Sequence, residues 1–362
     1  MSKFFNITML PGREGDCIWI EYGDTADKTH RILIDGGRQI AYESIKQRFE
    51  DIPEDERVLD LLVLTHVDAD HIEGLLEMFE DKSLNISFND VWFNGYDHLT
   101  PPTDGQDYET LGAKQGEKFT TGLLRKKWGW NVAFDGASVV VPDDGDLPVK
   151  TLPGGMKITL ISPYWDGLKK FRKAWLKECK AAGIIPGTDA RRDEISNLTL
   201  FETFGGISKT LVGRLLKAKQ KYDSRPANGS SIAFIAEYDR KSALLTGDAH
   251  IRPMIKSLEK LDSPIRVNAF KLSHHGSKGT TSKELLSMVQ FEKALISSDG
   301  SRYNHPDKET MAMLIDSQTE QVEVIGNYQS EELMAWDIDS LKSEFNYSIL
   351  APDDNEQLTI EL

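Results

Sequence analysis

Residues 65–71 read Thr65-His66-Val67-Asp68-Ala69-Asp70-His71, directly after the strand-like run Leu59 to Leu64. Two imidazoles and two carboxylates therefore fall within six residues, where a strand gives way to a helix opened by Asp70. Ionisable groups crowded in this way repel one another or lose hydration unless a cation neutralises them. A tight strand-to-helix turn can aim alternate residues at one centre, giving the mixed nitrogen and oxygen donor set that Zn2+ or Mn2+ accepts. The string constrains the chain to a sheet whose rim carries a metal site.

Two further clusters also close on strand ends. Leu244-Leu245-Thr246-Gly247-Asp248 is a strand ending in Gly-Asp, and Phe270-Lys271-Leu272-Ser273-His274-His275-Gly276-Ser277 ends in a double histidine. Each alone also fits a turn or cap residue. Four of the eight histidines (His66, His71, His274 and His275) lie in such clusters, and the three clusters together point to metal binding.

The elements around these clusters alternate. Phe4–Leu10, Cys17–Tyr22 and Arg31–Ile34 read as strands, each closed by turn formers: Pro11-Gly12, Gly23-Asp24 and Asp35-Gly36-Gly37. Helices are expected over 42–49 and 70–80, the second with Ile72, Leu75, Leu76 and Phe79 on one face. Beyond residue 230 the spacing predicts a hairpin (231–238 and 242–246), a helix (250–261), a strand (267–272), a helix (282–289) and a strand (291–297). Alternation in both halves indicates a layered α/β fold. Residues 100–225 differ, with amphipathic segments at 108–128 and 167–182, a strand at 155–161, and many Lys and Arg between Leu168 and Arg225. They are expected to be a helical insertion within a single domain spanning 1–362.

Composition bounds the partners. With 58 acidic and 43 basic residues the net charge is −15, which argues against broad electrostatic capture of nucleic acid but leaves room for a local basic groove. Two cysteines, Cys17 and Cys179, cannot build a disulfide framework and fit a reducing compartment. No run approaches the ~20 apolar residues of a membrane span, and the N-terminal residues lack a signal-peptide pattern, so a cytoplasmic location without membrane contact is expected.

The string THVDADH resembles the H-x-H-x-D-H signature of the metallo-β-lactamase fold superfamily. Ile34-Asp35-Gly36-Gly37 is similar to that group's early Asp-Gly, Thr246-Gly247-Asp248 to its bridging aspartate and His275-Gly276 to its final histidine. The resemblance is nearer still to the hydrolase domain of ComEC-type competence proteins. It rests on Arg13-Glu14-Gly15-Asp16, THVDADHIEG, Asn228-Gly229-Ser230-Ser231, LLTGD at 244–248, Ser273-His274-His275-Gly276-Ser277, Ile296-Ser297 and Arg302-Tyr303-Asn304-His305-Pro306. The resemblance implies a four-layer αββα sandwich with two divalent ions, Zn2+ or Mn2+. One ion would be held by His66, Asp68 and Asp248, with Asn228 or water, and the other by Asp70, His71, Asp248 and His275. Asp68 stands where the superfamily has a second histidine, and no histidine lies between His98 and His250. The aspartate-rich set makes Mn2+ a serious competitor of Zn2+.

A water between two such ions would be deprotonated near neutral pH and would attack phosphorus in line, the metal-bound hydroxide acting as nucleophile. His274, His305 and Lys278 are the candidate groups for the leaving oxygen, and Asp70 belongs to the catalytic set as well as to the ligands. Asp35, Asn228 and Ser277 are candidate supports or substrate contacts; Ser277 could instead cap the helix that begins near Ser282. Three functions are carried forward. The resemblance implies a phosphodiesterase or nuclease acting on single- or double-stranded DNA, with a partner protein delivering the substrate. A second reading is a hydrolase of a small phosphodiester, cyclic nucleotide or phosphorylcholine-like ester. The third is a partner-regulated effector or sensor module.

Overall fold

The computed structural model describes residues 3–24, 28–101, 114–182, 207–353 and 357–362. The first sheet is built from β1 (Lys3–Met9), β2 (Ile18–Asp24), β3 (His30–Ile34), β4 (Val58–Val63) and β5 (Ser87–Trp92). β1 to β3 run antiparallel, and β3, β4 and β5 are parallel. The second sheet contains β6 (Val149–Thr151), β7 (Lys157–Ser162), β8 (Ala233–Tyr238), β9 (Lys241–Leu245), β10 (Ile265–Lys271), β11 (Val289–Ile296), β12 (Val322–Gly326) and β13 (Tyr347–Leu350). Its order is β13-β12-β11-β10-β9-β8-β7-β6, parallel from β13 to β9 and antiparallel beyond. β14 (Thr359–Glu361) returns to the first sheet, antiparallel to β1.

The period of two along each strand divides the side chains between two cores. Ile18, Ile20, Ile32 and Ile34 face the second sheet, where they meet Phe234, Ala236 and Leu245. Trp19 and Leu33 face the other way, against Ile45 and Phe49 of α1 (Ala41–Glu50) and Leu75 and Met78 of α2 (Ala69–Glu80). α3 (Lys114–Lys126) and α4 (Trp165–Ala182) add Phe119, Phe171 and Trp175 to that outer core. After α5 (Lys209–Leu215), α6 (Ile251–Leu258), α7 (Lys283–Ser287) and α8 (Lys308–Ser317) bring Met254, Leu285 and Met311 to the second sheet. α9 (Glu331–Met334) and α10 (Asp339–Phe345) follow on that side. The layers are therefore helices, sheet, sheet, helices, as expected.

The region 100–225 is woven into these layers wherever it is described: β6 and β7 extend the second sheet, and α3 and α4 cover the first. Parts of the amphipathic segments and of the Lys- and Arg-rich stretch lie outside the described residues. The 282–289 helix is shorter than its spacing predicts, because Val289 already pairs with Ile265 in β11. Ser282 caps that helix itself, its Oγ accepting from Leu285 N at 3.1 Å. Ser277 does not cap it, which corrects one of the two readings of that residue; its Oγ accepts from Gly279 N at 3.2 Å. The hairpin falls where expected, turning on Asp239 and Arg240, both at positive φ.

Five strand ends define one rim. The chain leaves β3 at Asp35, β4 at Thr65-His66, β9 at Thr246-Asp248, β10 at Ser273-His275 and β11 at Ser297-His305. Each is a carboxyl end of a parallel strand, the edge where side chains from separate connections can converge.

Candidate metal centre

Asp248 lies at the centre of this rim, buried, with its two oxygens facing different partners. Oδ1 is 3.4 Å from His71 Nε2 and 3.6 Å from His275 Nε2. Oδ2 is 3.7 Å from both His66 Nε2 and His274 Nε2. Asp70 Oδ2 is 3.5 Å from His275 Nε2, and Asp68 Oδ2 is 3.7 Å from His66 Nε2. Donors about 2.1 Å from a tetrahedral ion stand about 3.4 Å apart, close to these separations. His66 Nε2, His71 Nε2, His275 Nε2 and Asp248 Oδ1 are buried without a hydrogen-bond partner. Each such atom costs ~1–3 kcal/mol; bound divalent cations would satisfy them.

The other nitrogen of each imidazole faces a polar group. His71 Nδ1 meets Asp35 Oδ2 at 2.7 Å, and Asp35 also accepts from Thr65 N and Oγ1, both at 2.7 Å. His275 Nδ1 is 3.2 Å from Asp16 Oδ1. His274 Nδ1 is 3.3 Å from Asp223 Oδ2, and His66 Nδ1 is 3.1 Å from Thr65 Oγ1. Polar groups behind ring nitrogens fix orientation and raise donor strength. Asn228 contributes here: its Nδ2 donates to Asp223 Oδ2 at 2.6 Å, so it supports His274 through Asp223.

The backbone is bent to make this possible. His274, His275 and Gly276 have φ of 50°, 56° and 85°, and a non-glycine residue there costs of order 1 kcal/mol or more. That conformation turns both imidazoles of the pair toward Asp248, one to each oxygen. A Cβ on Gly15 would lie 1.7 Å from Asp70 O, so only glycine lets the first loop approach α2. Asp68 occupies the cap position of α2 without making a capping bond, which leaves its carboxylate for His66 and Arg225.

Charge around the centre is strongly coupled. Burial disfavours a charged His275, yet Asp248 and Asp16 outweigh it and push its pKa up to about 9. His71 is raised for the same reason by Asp248 and Asp35. Burial works against the Asp248 carboxylate, but His274, His71 and His275 hold its pKa well below the usual range. Asp70 is lowered likewise against its burial, mainly by the imidazole of His275 beside it. Behind them Lys271 is fully buried, its Nζ 2.7 and 3.0 Å from the two oxygens of Asp16. Despite burial, Lys271 and His275 hold Asp16 below the carboxylate range.

The three groups proposed for the leaving oxygen are placed differently. Both nitrogens of His274 are committed to the cluster. Lys278 Nζ is engaged by Glu309 at 3.1 Å and Asp307 at 3.6 Å. His305 lies beside the centre, its ring 5.4 Å from that of His274, and burial followed by the charges of His274 and His275 lowers its pKa. Sequence reasoning missed Arg225, whose guanidinium lies against His274 Nε2 and 3.6 Å from Asp68 Oδ2. It also missed Asp223 and the Lys271–Asp16 pair; a lone lysine ending an apolar strand was the available signal for the latter.

No family model matches this chain. It is similar to ComE operon protein 3 of Bacillus subtilis (strain 168), 31% identical over 93 residues, which are 25% of this chain and 12% of that protein. The match thus spans about an eighth of the relative's length. Among solved structures it is similar to Zn2+-bound PqqB from Methylobacterium extorquens, 11% identical over 95% of this chain and 87% of that one, TM-score 0.38. It is similar also to the MIM-2 metallo-β-lactamase, 11% identical over 72% and 70% of the chains, TM-score 0.30. A long form of RNase Z from yeast is 13% identical over 91% of this chain and 41% of that one, TM-score 0.35. These likenesses concern the arrangement of sheets and helices, and the chemistry has to be read from the residues of the site. Among the described residues no helix is long and apolar enough to cross a membrane.

Proposed function

We propose that this chain is a metal-dependent hydrolase whose substrate is a phosphodiester of nucleic acid. The observation that carries the reading is Asp248, which presents one oxygen to His66 and His274 and the other to His71 and His275. The residues fit a pair of divalent ions: His66, Asp68, Asp248 and His274 would hold one, and Asp70, His71, Asp248 and His275 the other. Bound there, Zn2+ or Mn2+ supplies charge to a phosphoryl oxygen and brings the ionisation of a water to neutral pH.

The chain's own residues do the rest. Asp35, Asp16 and Asp223 hold three imidazoles in place from behind. Arg225, half-exposed between Asp68 and His274, is a fixed cation at the mouth suited to an anionic oxygen of substrate. His305, its ring 5.4 Å from that of His274 and its Nδ1 buried without a hydrogen-bond partner, is the candidate placed to bond a leaving oxygen. The motif resemblance to ComEC-type hydrolase domains favours nucleic acid, and the partial match to ComE operon protein 3 is consistent with that resemblance.

The test pairs metal analysis of the purified protein with Mn2+-supplemented hydrolysis of bis(p-nitrophenyl) phosphate. About two ions per chain and turnover lost in Asp70→Asn are expected. Full activity in that variant, or no diester hydrolysis with both ions bound, would overturn the reading.

A further inference from the structure

Tyr303 is 45% exposed, although its side chain belongs to the rim of a buried ionic centre. A ladder of rings leads to it from the cluster. His274 and His305 are 5.4 Å apart between centroids, and His305 and Tyr303 are 5.9 Å apart with an interplanar angle of 32°. The guanidinium of Arg302 lies 5.2 Å from the Tyr303 ring centre. Arg302 is itself tied toward Glu14 (3.6 Å), which pairs with Arg38 at 2.6 Å. Burial raises the pKa of the Tyr303 hydroxyl, and after it the charges acting on that hydroxyl are Asp70, Arg225, Arg38 and Asp68. The ring therefore stands beside the metal centre, with the Arg302 guanidinium against it and the charges of Arg225 and Arg38 acting on its hydroxyl.

We propose that Tyr303 is a stacking platform for the nucleobase next to the scissile phosphodiester, with Arg302 backing the ring. The proposal rests on the phosphodiesterase reading and adds the class of group that the substrate carries. The charge pattern selects among flat or cationic head groups. A quaternary ammonium also favours an aromatic face, but here it would meet Arg302, Arg225 and Arg38. A neutral planar base attached to an anionic phosphate suits both the ring and the arginines.

The experiment compares Mn2+-dependent cleavage of a thymidylate 12-mer with a 12-mer of the same length whose bases are absent, and includes thymidine 3′,5′-cyclic phosphate. Stacking of a base is worth about 5-fold or more, so the wild-type protein should prefer the thymidylate strand by at least about 5-fold in kcat/KM. Tyr303→Ala should erase the preference with metal content at the wild-type level, Tyr303→Phe should keep it, and Arg302→Ala should weaken it. Turnover of the cyclic nucleotide above that of the strand keeps the platform and assigns it to a small nucleotide. Equal cleavage of both strands by the wild-type protein, or a preference that survives Tyr303→Ala, overturns the proposal. Hydrolysis of bis(p-nitrophenyl) phosphate without cleavage of any nucleotide overturns the platform and the nucleic-acid substrate class but leaves the phosphodiesterase, whereas no diester hydrolysis at all overturns the phosphodiesterase reading as well.

Discussion

Replacing Lys271 by methionine tests how the centre is held from beneath. The ammonium is fully buried, 2.7 and 3.0 Å from the Asp16 oxygens, and also donates to Leu272 O at 3.1 Å. Removing one partner of a buried pair leaves an uncompensated charge and costs ~3–5 kcal/mol. His275 Nδ1 stays 3.2 Å from Asp16 Oδ1 and keeps part of that charge balanced, which places the expected loss near the lower limit. With a urea m-value of about 3 kcal/mol/M for a chain of this size, a loss of about 3 kcal/mol lowers the midpoint by about 1 M. The assay is equilibrium urea unfolding in the presence of a chelator, so that metal binding does not contribute. The double variant Asp16→Asn/Lys271→Met should recover more than half of the loss, because neither charge then remains buried. A single variant within about 1 kcal/mol of wild type, or a double variant no better than the single, would refute the reasoning.

Asp223→Asn should weaken metal binding by about 10- to 100-fold through His274, read by isothermal titration with Mn2+, while Asp248→Asn should lower the metal content of both positions in elemental analysis. For metal-free protein, His275 is raised on folding from 6.5 to about 9, so its contribution is complete below pH 6.5 and is lost as pH rises to about 9. The melting temperature without metal should fall across that window, and metal affinity should rise across it because binding displaces imidazole protons; calorimetry at pH 6.5, 8 and 9 checks both. Ser282→Ala should cost ~1 kcal/mol by removing the cap of α7, with metal content unchanged.

Local sequence determined much of this. The period-two strands, the turn residues that close them and the polar strings at their carboxyl ends were legible because each depends on residues adjacent in the chain. Hence His66, Asp68, Asp70, His71, Asp248 and His275 could be named, and Asp35 too, before any contact between them was visible. Tertiary structure alone decided the placement of His274: its sequence neighbour His275 takes the same bend, and only the positive φ values turn the two rings to opposite oxygens of Asp248. Asp223 and Arg225 reach the centre from a segment with no metal-like spacing, and Asp16 and Lys271 meet across 255 residues. β14 closes the first sheet from the far end of the chain, against β1. Short-range pattern fixes which groups stand on a rim; which of them face one another depends on how the sheets pack and where the connections bend, and that is set by contacts distant in sequence.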